Sequence, residues 1–435
     1  MPPPPRGHSD IFCLSLRDAA PDDRTPDYAS IAQFLHFGYI YGTGTIFRAV
    51  RRSDPGKYYV VENGRVTEKS KNLTPLEDLE TSETALEEQM ARLAKAVAGC
   101  DRIACTITGG TDSRTVLSHM RYQGMRPLLD ITGTDGRADV VIAREIAERL
   151  DMELLHINDE VEGGGWLEEV IRAADGMTGV CGIHALSRKA RRLREKGILL
   201  ECGGLAGELY KNDFIRYEFP FFGGRPNWKQ FLRLVVVKYD FPMALCGAAT
   251  APEMEKLPRT LLDWLSSHKG RTKLNAYLSA GHEIMQGRSA GICNMNCGYY
   301  VQYNPLMERR VAASSCHRNP HAMETMAWQR GQVSRYCPEI KDIRTDGGMT
   351  CDSRITLREY LKYKKTTLRV VAACTLRRDR IRGRRDSCFQ AGLSSPRFYA
   401  ALERCKELGI IAPGVEADAL PFPVADRIFA LGTML

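Results

Sequence analysis

The chain has 435 residues, 43% hydrophobic and 26% charged, with a net charge of +8. That length supports a large core and two domains, and the composition is ordinary for a soluble globular protein. No apolar run reaches about 18 residues, so no membrane span is expected. Fourteen cysteines follow no repeated spacing. Cys293 and Cys297 have no second such pair to complete a zinc site, so the thiols read as reduced groups in a cytoplasmic enzyme.

Residues 1–28 form a polar, proline-containing lead-in. Its opening, Met1-Pro2-Pro3-Pro4-Pro5-Arg6, lacks the apolar core of a signal peptide. The aromatic segment 34–42 follows, then a turn at Asp54-Pro55-Gly56, a strand over 57–61 and an Asn63-Gly64 hairpin turn. A helix is expected over 81–98, with Thr84, Leu86, Met90, Leu93 and Val97 on one face. Ile103 to Ile107 is a short apolar run that reads as a buried strand. Val116, Leu117 and Met120 then recur at helical spacing. Between them lies Thr108-Gly109-Gly110-Thr111-Asp112-Ser113. A glycine turn leading into a helix lets N–H groups and the positive end of the helix dipole converge on an anion.

The turn lacks the lysine of G-x-x-x-x-G-K-[ST] and does not fit the G-x-G-x-x-G spacing. It resembles instead the S-G-G-x-D-S signature of the ATP-pyrophosphatase family, which splits ATP into AMP and pyrophosphate. Thr108 keeps the hydroxyl of the usual serine. By that resemblance Thr108, Gly109, Gly110, Thr111 and Ser113 cradle pyrophosphate, Asp112 holds Mg²⁺, and Arg114 neutralises phosphate charge.

Further on, a strand at 127–132 ends in Gly133, a helix starts near Asp139, and a third strand covers 153–157. This alternation argues for an α/β, doubly wound parallel sheet, in which ligands sit at the carboxyl ends of strands. A fourth strand, 197–202, runs into Gly203-Gly204-Leu205-Ala206-Gly207-Glu208. From about 225 onward the text is helical in character.

Several segments resemble, more narrowly, the asparagine synthetase-like amide ligases of that family. Residues 31–68 are similar to the end of their glutaminase domain. Pro2 stands where a catalytic cysteine belongs, and too few residues precede the turn for the whole domain. A truncated remnant at 29–75 is expected, with ammonia from a partner glutaminase or an amine from another source. The resemblance places Ile131, Thr132 and Gly133 beside adenosine. Gly203 and Gly204 border the nucleotide, and Glu208 becomes a second magnesium ligand. Gly204 and Gly207 replace two of the family's acidic residues, and Asp346 falls where its lysine is expected. Arg344 is implied as an oxyanion stabiliser and Glu283 as a base.

The resemblance implies an adenine nucleotide alpha hydrolase-like domain over 76–350, followed by a basic helical extension over 351–435. Its activity would be AMP-forming joining of a carboxylate to an amine, with ATP and Mg²⁺ as cofactors. The basic zone 377–385 keeps open a tRNA-modifying ATP pyrophosphatase, and the changes at 204, 207 and 346 keep open an inactive nucleotide-binding relative.

Overall fold

Ile103–Thr106 (β3), Leu128–Thr132 (β4), Leu154–Ile157 (β5), Leu200–Cys202 (β6) and Val301–Tyr303 (β7) form a five-stranded sheet in the order β5-β4-β3-β6-β7, and every neighbouring pair is parallel. The computed structural model describes residues 16–19, 23–63, 65–158, 166–179, 183–211, 213–218, 223–237, 241–352, 354–376 and 395–435. A separate antiparallel hairpin, Lys57–Glu62 (β1) with Arg65–Ser70 (β2), turns at Asn63 in a left-handed conformation; Gly64 lies outside the described residues. The helices Tyr28–Phe37 (α1) and Ala85–Ala96 (α2) precede the sheet.

Alternation along the strands explains why helices cover both faces of the sheet. Ile103, Cys105, Leu129 and Ile131 join the larger core with Val116, Leu117 and Met120 of Thr111–Tyr122 (α3) and Val140, Ala143 and Ile146 of Ala138–Arg149 (α4). Ala104, Leu128 and Leu155 face the other way, against Ala190 and Leu193 of His184–Glu195 (α5). A parallel sheet needs such two-sided cover because its crossover helices lie on its faces. From β3 the chain steps through α3 to β4 on one side, while β6 lies on the other. The strand order therefore reverses beside β3, the kind of switch point at which open parallel sheets bind ligands.

Two features depart from the sequence expectation. The edge strand β7 has only three residues, and Val301 is 64% exposed; so short a strand carries no readable alternation. Beyond 395 the chain is core rather than appendage. Phe398, Leu402 and Cys405 of Pro396–Glu407, and Val424, Ile428 and Leu431 of Phe422–Met434, are buried in the larger core. Phe422–Met434 packs on the helix Tyr28–Phe37, where Arg427 Nη1 donates to Leu35 O at 2.7 Å and His36 O at 2.8 Å. That early helix is closed by Asp27, whose side chain accepts from Ala29 N and Ser30 N, and by Gly38 at φ 80°. The first fifteen residues and the basic zone 377–385 lie outside the described residues. Among the described residues, no helix is long and apolar enough to cross a membrane.

Candidate functional site

The glycine turn follows β3 directly and is held by its own hydroxyls. Thr108 N donates to Ser113 Oγ at 3.0 Å, Gly110 N donates to Thr108 Oγ1 at 3.2 Å, and the two hydroxyls lie 3.1 Å apart. Gly110 is the N-cap of α3 and offers no side chain to the first turn. The opening N–H groups of a helix have no intrahelical partner, so this end of α3 suits an anion. One donor is already engaged: Gly109 N donates to Asp139 Oδ1 at 2.8 Å, from the first turn of α4.

The loop after β6 lies directly on this turn. A Cβ at Gly204 would stand 2.6 Å from Ser113 N, and one at Gly207 would stand 2.0 Å from Asp112 Cγ. Both glycines are therefore required by close approach of backbone to α3. An acidic side chain could not occupy either place without moving the loop. Ala206, just before Gly207, is left-handed at φ 69°, and so is Met326 at φ 52°. The remaining non-glycine residues of positive φ among those described are Asn or Asp, which tolerate that region. The two less tolerant ones flank Asp112: Thr111 Oγ1 reaches Met326 Sδ at 3.5 Å. Backbone strain concentrated this way marks a site that the surrounding structure over-determines.

Asp112 is the centre of the arrangement. Its Oδ2 accepts from Lys211 Nζ at 2.6 Å and its Oδ1 from Gln329 Nε2 at 3.3 Å; Gln329 Nε2 also donates to Gly207 O at 3.2 Å. A Mg²⁺ site needs hard oxygen ligands left open to the ion. Here the lysine ammonium occupies one carboxylate oxygen. Among the described residues, no group of three acidic, histidine or cysteine side chains converges on one point. Asp112 is ion-paired within the chain, and the cation that the chain itself supplies at this point is Lys211.

The other expected site residues divide. Ile131, Thr132 and Gly133 end the neighbouring strand β4, where Gly133 N donates to Ile157 O at 3.0 Å and Gly133 takes φ 147°. Gly203 N donates to Tyr303 O at 3.1 Å, continuing the β6–β7 pairing. Arg344 stands close by, since Asp346 N donates to Gly109 O at 3.1 Å, but its side chain is exposed. Arg114 is fully buried and serves the protein itself. Nη1 donates to Ile343 O at 2.7 Å, and Nη2 to Arg344 O at 2.9 Å and Gly109 O at 3.2 Å. It clamps the 343–346 segment to the glycine turn. Arg114→Met is expected to cost about 3 kcal/mol in chemical denaturation, because the carbonyls lose a charged donor. Lysine should not restore it, lacking the planar fork.

Glu283 has no contact with the turn. Its oxygens accept from Trp264 Nε1 at 3.1 Å and pair with His268 Nε2 at 3.0 Å, in the helical region. The His268 bond, opposed by burial, holds its carboxyl below the usual range, which weakens it as a base.

Beneath the site lies a buried ionic cluster that the sequence reading missed. Lys189 Nζ stands 2.9 Å from Asp130 Oδ1, 3.2 Å from Glu201 Oε1 and 2.8 Å from Thr106 Oγ1. All three charged residues are at most 3% exposed. The signal was present: Asp130 interrupts the apolar strand Leu128–Thr132, and Glu201 interrupts Leu200–Cys202. A charge inside a buried strand calls for a partner. Burial, opposed by Lys189, raises the Asp130 pKa; burial works against the Lys189 charge, yet Asp130 and Glu201 hold its pKa above the usual range.

No protein-family model matches this chain, and no curated protein matches it at a significant level.

Proposed function

We propose that this chain binds ATP through the turn 108–113 and acts as an AMP-forming carbon–nitrogen ligase on an adenine nucleotide alpha hydrolase-like sheet. The observation that carries the reading is the position of that turn, at the carboxyl end of the central strand where the strand order reverses. A carboxylate is a poor acyl donor. Attack of its oxygen on the α-phosphorus of ATP expels pyrophosphate and leaves an acyl-adenylate. An amine then attacks the acyl carbon and AMP departs. Such chemistry depends mainly on positioning and on neutralising charge. Thr108, Ser113 and the first turn of α3 would hold phosphate oxygens. Lys211, swinging from Asp112, would meet the charge that develops on pyrophosphate, and Arg344 stands near enough to the turn to meet an oxyanion. Cytoplasmic location and a partner glutaminase are parts of the same proposal.

The test is pyrophosphate release with a panel of carboxylates and hydroxylamine as the trapping amine. Wild type is expected to release pyrophosphate only with its carboxylate present, and Asp112→Ala to lose about a hundredfold or more. Undiminished release from Asp112→Ala refutes the assignment. Lys211→Met is expected to weaken binding of a fluorescent ATP analogue about tenfold, in chelator as in magnesium. A Lys211→Met effect confined to one of the two conditions would mean that the metal, not the lysine, carries the charge. The tight seat of the 203–208 loop on α3 favours a second reading, a nucleotide binder without turnover; ATP binding with no release across the panel would select it.

A further inference from the structure

The helix Leu357–Leu376 opens on a capping box: Glu359 N donates to Thr356 Oγ1 at 3.2 Å, and Thr356 N donates to Glu359 Oε2 at 3.0 Å. The chain leading into it is tied to the body by Arg330, whose Nη2 donates to Arg354 O at 3.3 Å. Lys364 then pairs with the buried Glu324. Leu357, Leu361 and Leu368 face solvent instead, at 73%, 57% and 58% exposure. At about 100° per residue these three share a stripe roughly 40° wide. Arg358, Lys365 and Arg369 are exposed along one edge of that stripe. The exposed side chains described on this helix thus form a ridge over about a third of its circumference, apolar on one side and basic on the other.

Charge gathers here as well. Residues 357–385 hold eleven lysines and arginines against two acidic residues, a net +9. The whole chain is +8, so the other residues together carry −1.

We propose that this ridge seats the protein on an anionic lipid surface, with the leucines in the headgroup layer and Arg358, Lys365 and Arg369 on anionic headgroups. The charge selects an anionic partner. The leucines distinguish lipid from nucleic acid, whose backbone is met mainly by basic and polar groups. Shape distinguishes a bilayer from a protein groove. A helix laid in a groove is enclosed by it, whereas a ridge backed by the protein body fits a flat interface. None of these side chains belongs to the turn 108–113, so the inference stands apart from the ligase reading.

The experiment is sedimentation of the full chain with phosphatidylcholine vesicles, with or without about 30% phosphatidylserine. The chain is expected to sediment with the anionic vesicles only, and less so as salt rises from about 0.05 to about 0.5 M. Arg358→Gln, Lys365→Gln and Arg369→Gln together should weaken binding about a hundredfold. Leu357→Ser, Leu361→Ser and Leu368→Ser together should weaken it about tenfold or more. Both triple variants should keep the wild-type melting temperature, since every changed side chain is exposed. Failure to sediment with anionic vesicles overturns the proposal, as does sedimentation that the serine variant leaves unchanged. Capture of single-stranded RNA or polyglutamate without vesicle binding would assign the ridge to a soluble polyanion and overturn it too.

Discussion

Gly207→Ala is expected to lower pyrophosphate release about a hundredfold or more, although it adds one methyl group. The new Cβ would stand 2.0 Å from Asp112 Cγ and 2.4 Å from Oδ1. Atoms cannot share that space, and Asp112 Cβ, which no side-chain rotation moves, stands 2.5 Å away, so the loop must shift as well as Asp112. That shift takes Asp112 from Lys211 and Gln329, which it meets through opposite oxygens. A displacement of about 1 Å at a reacting centre costs on the order of a hundredfold. Overpacking adds about 1–3 kcal/mol of destabilisation. Gly414→Ala is the control, because a Cβ there meets nothing within 4 Å. Release assays and analogue binding on both variants decide the matter. Near wild-type turnover by Gly207→Ala would mean that the Asp112 position is not operative.

Lys189→Met carries the largest expected stability change, about 3–5 kcal/mol, because it strands two carboxylates in the sheet. The pH dependence has a definite sign. Burial raises the folded-state pKa of Asp130, so its contribution is present below its unfolded value and is lost as pH rises through the folded one. Lys189 opposes that shift in the native protein. Without it Asp130 moves further up, and protonation relieves the variant in acid. The deficit against wild type should be smaller at about pH 5 than at about pH 8 in urea melts. A deficit equal at both would show that packing, not charge, holds this layer together.

The turn was legible because its chemistry is local: a hydroxyl, two glycines, an acid and a serine lie within six consecutive positions. The alternation of strands and helices up to 202 was legible for the same reason, through periods of two and about 3.6. What escaped was set by contacts between distant segments. Gly204 and Gly207 resembled losses, yet their purpose is visible only once the β6 loop meets α3. Lys211 meets Asp112 across 99 positions and Gln329 meets it across 217, distances over which no sequence period operates. Glu283 was placed by resemblance, and its pairing with His268 and Trp264 reflects the packing of the helical region. Arg114 looked like a phosphate ligand because it adjoins the motif, but α3 turns it inward.

Arg427 binds the carbonyls of Leu35 and His36 across more than 390 positions. During translation the early helix therefore leaves the ribosome with an apolar face that its later partner cannot yet cover. Closure of so long a loop delays assembly. Until residue 427 emerges, that nascent segment is a natural client for chaperones, and stalled or shortened products should be the forms that proteases remove first.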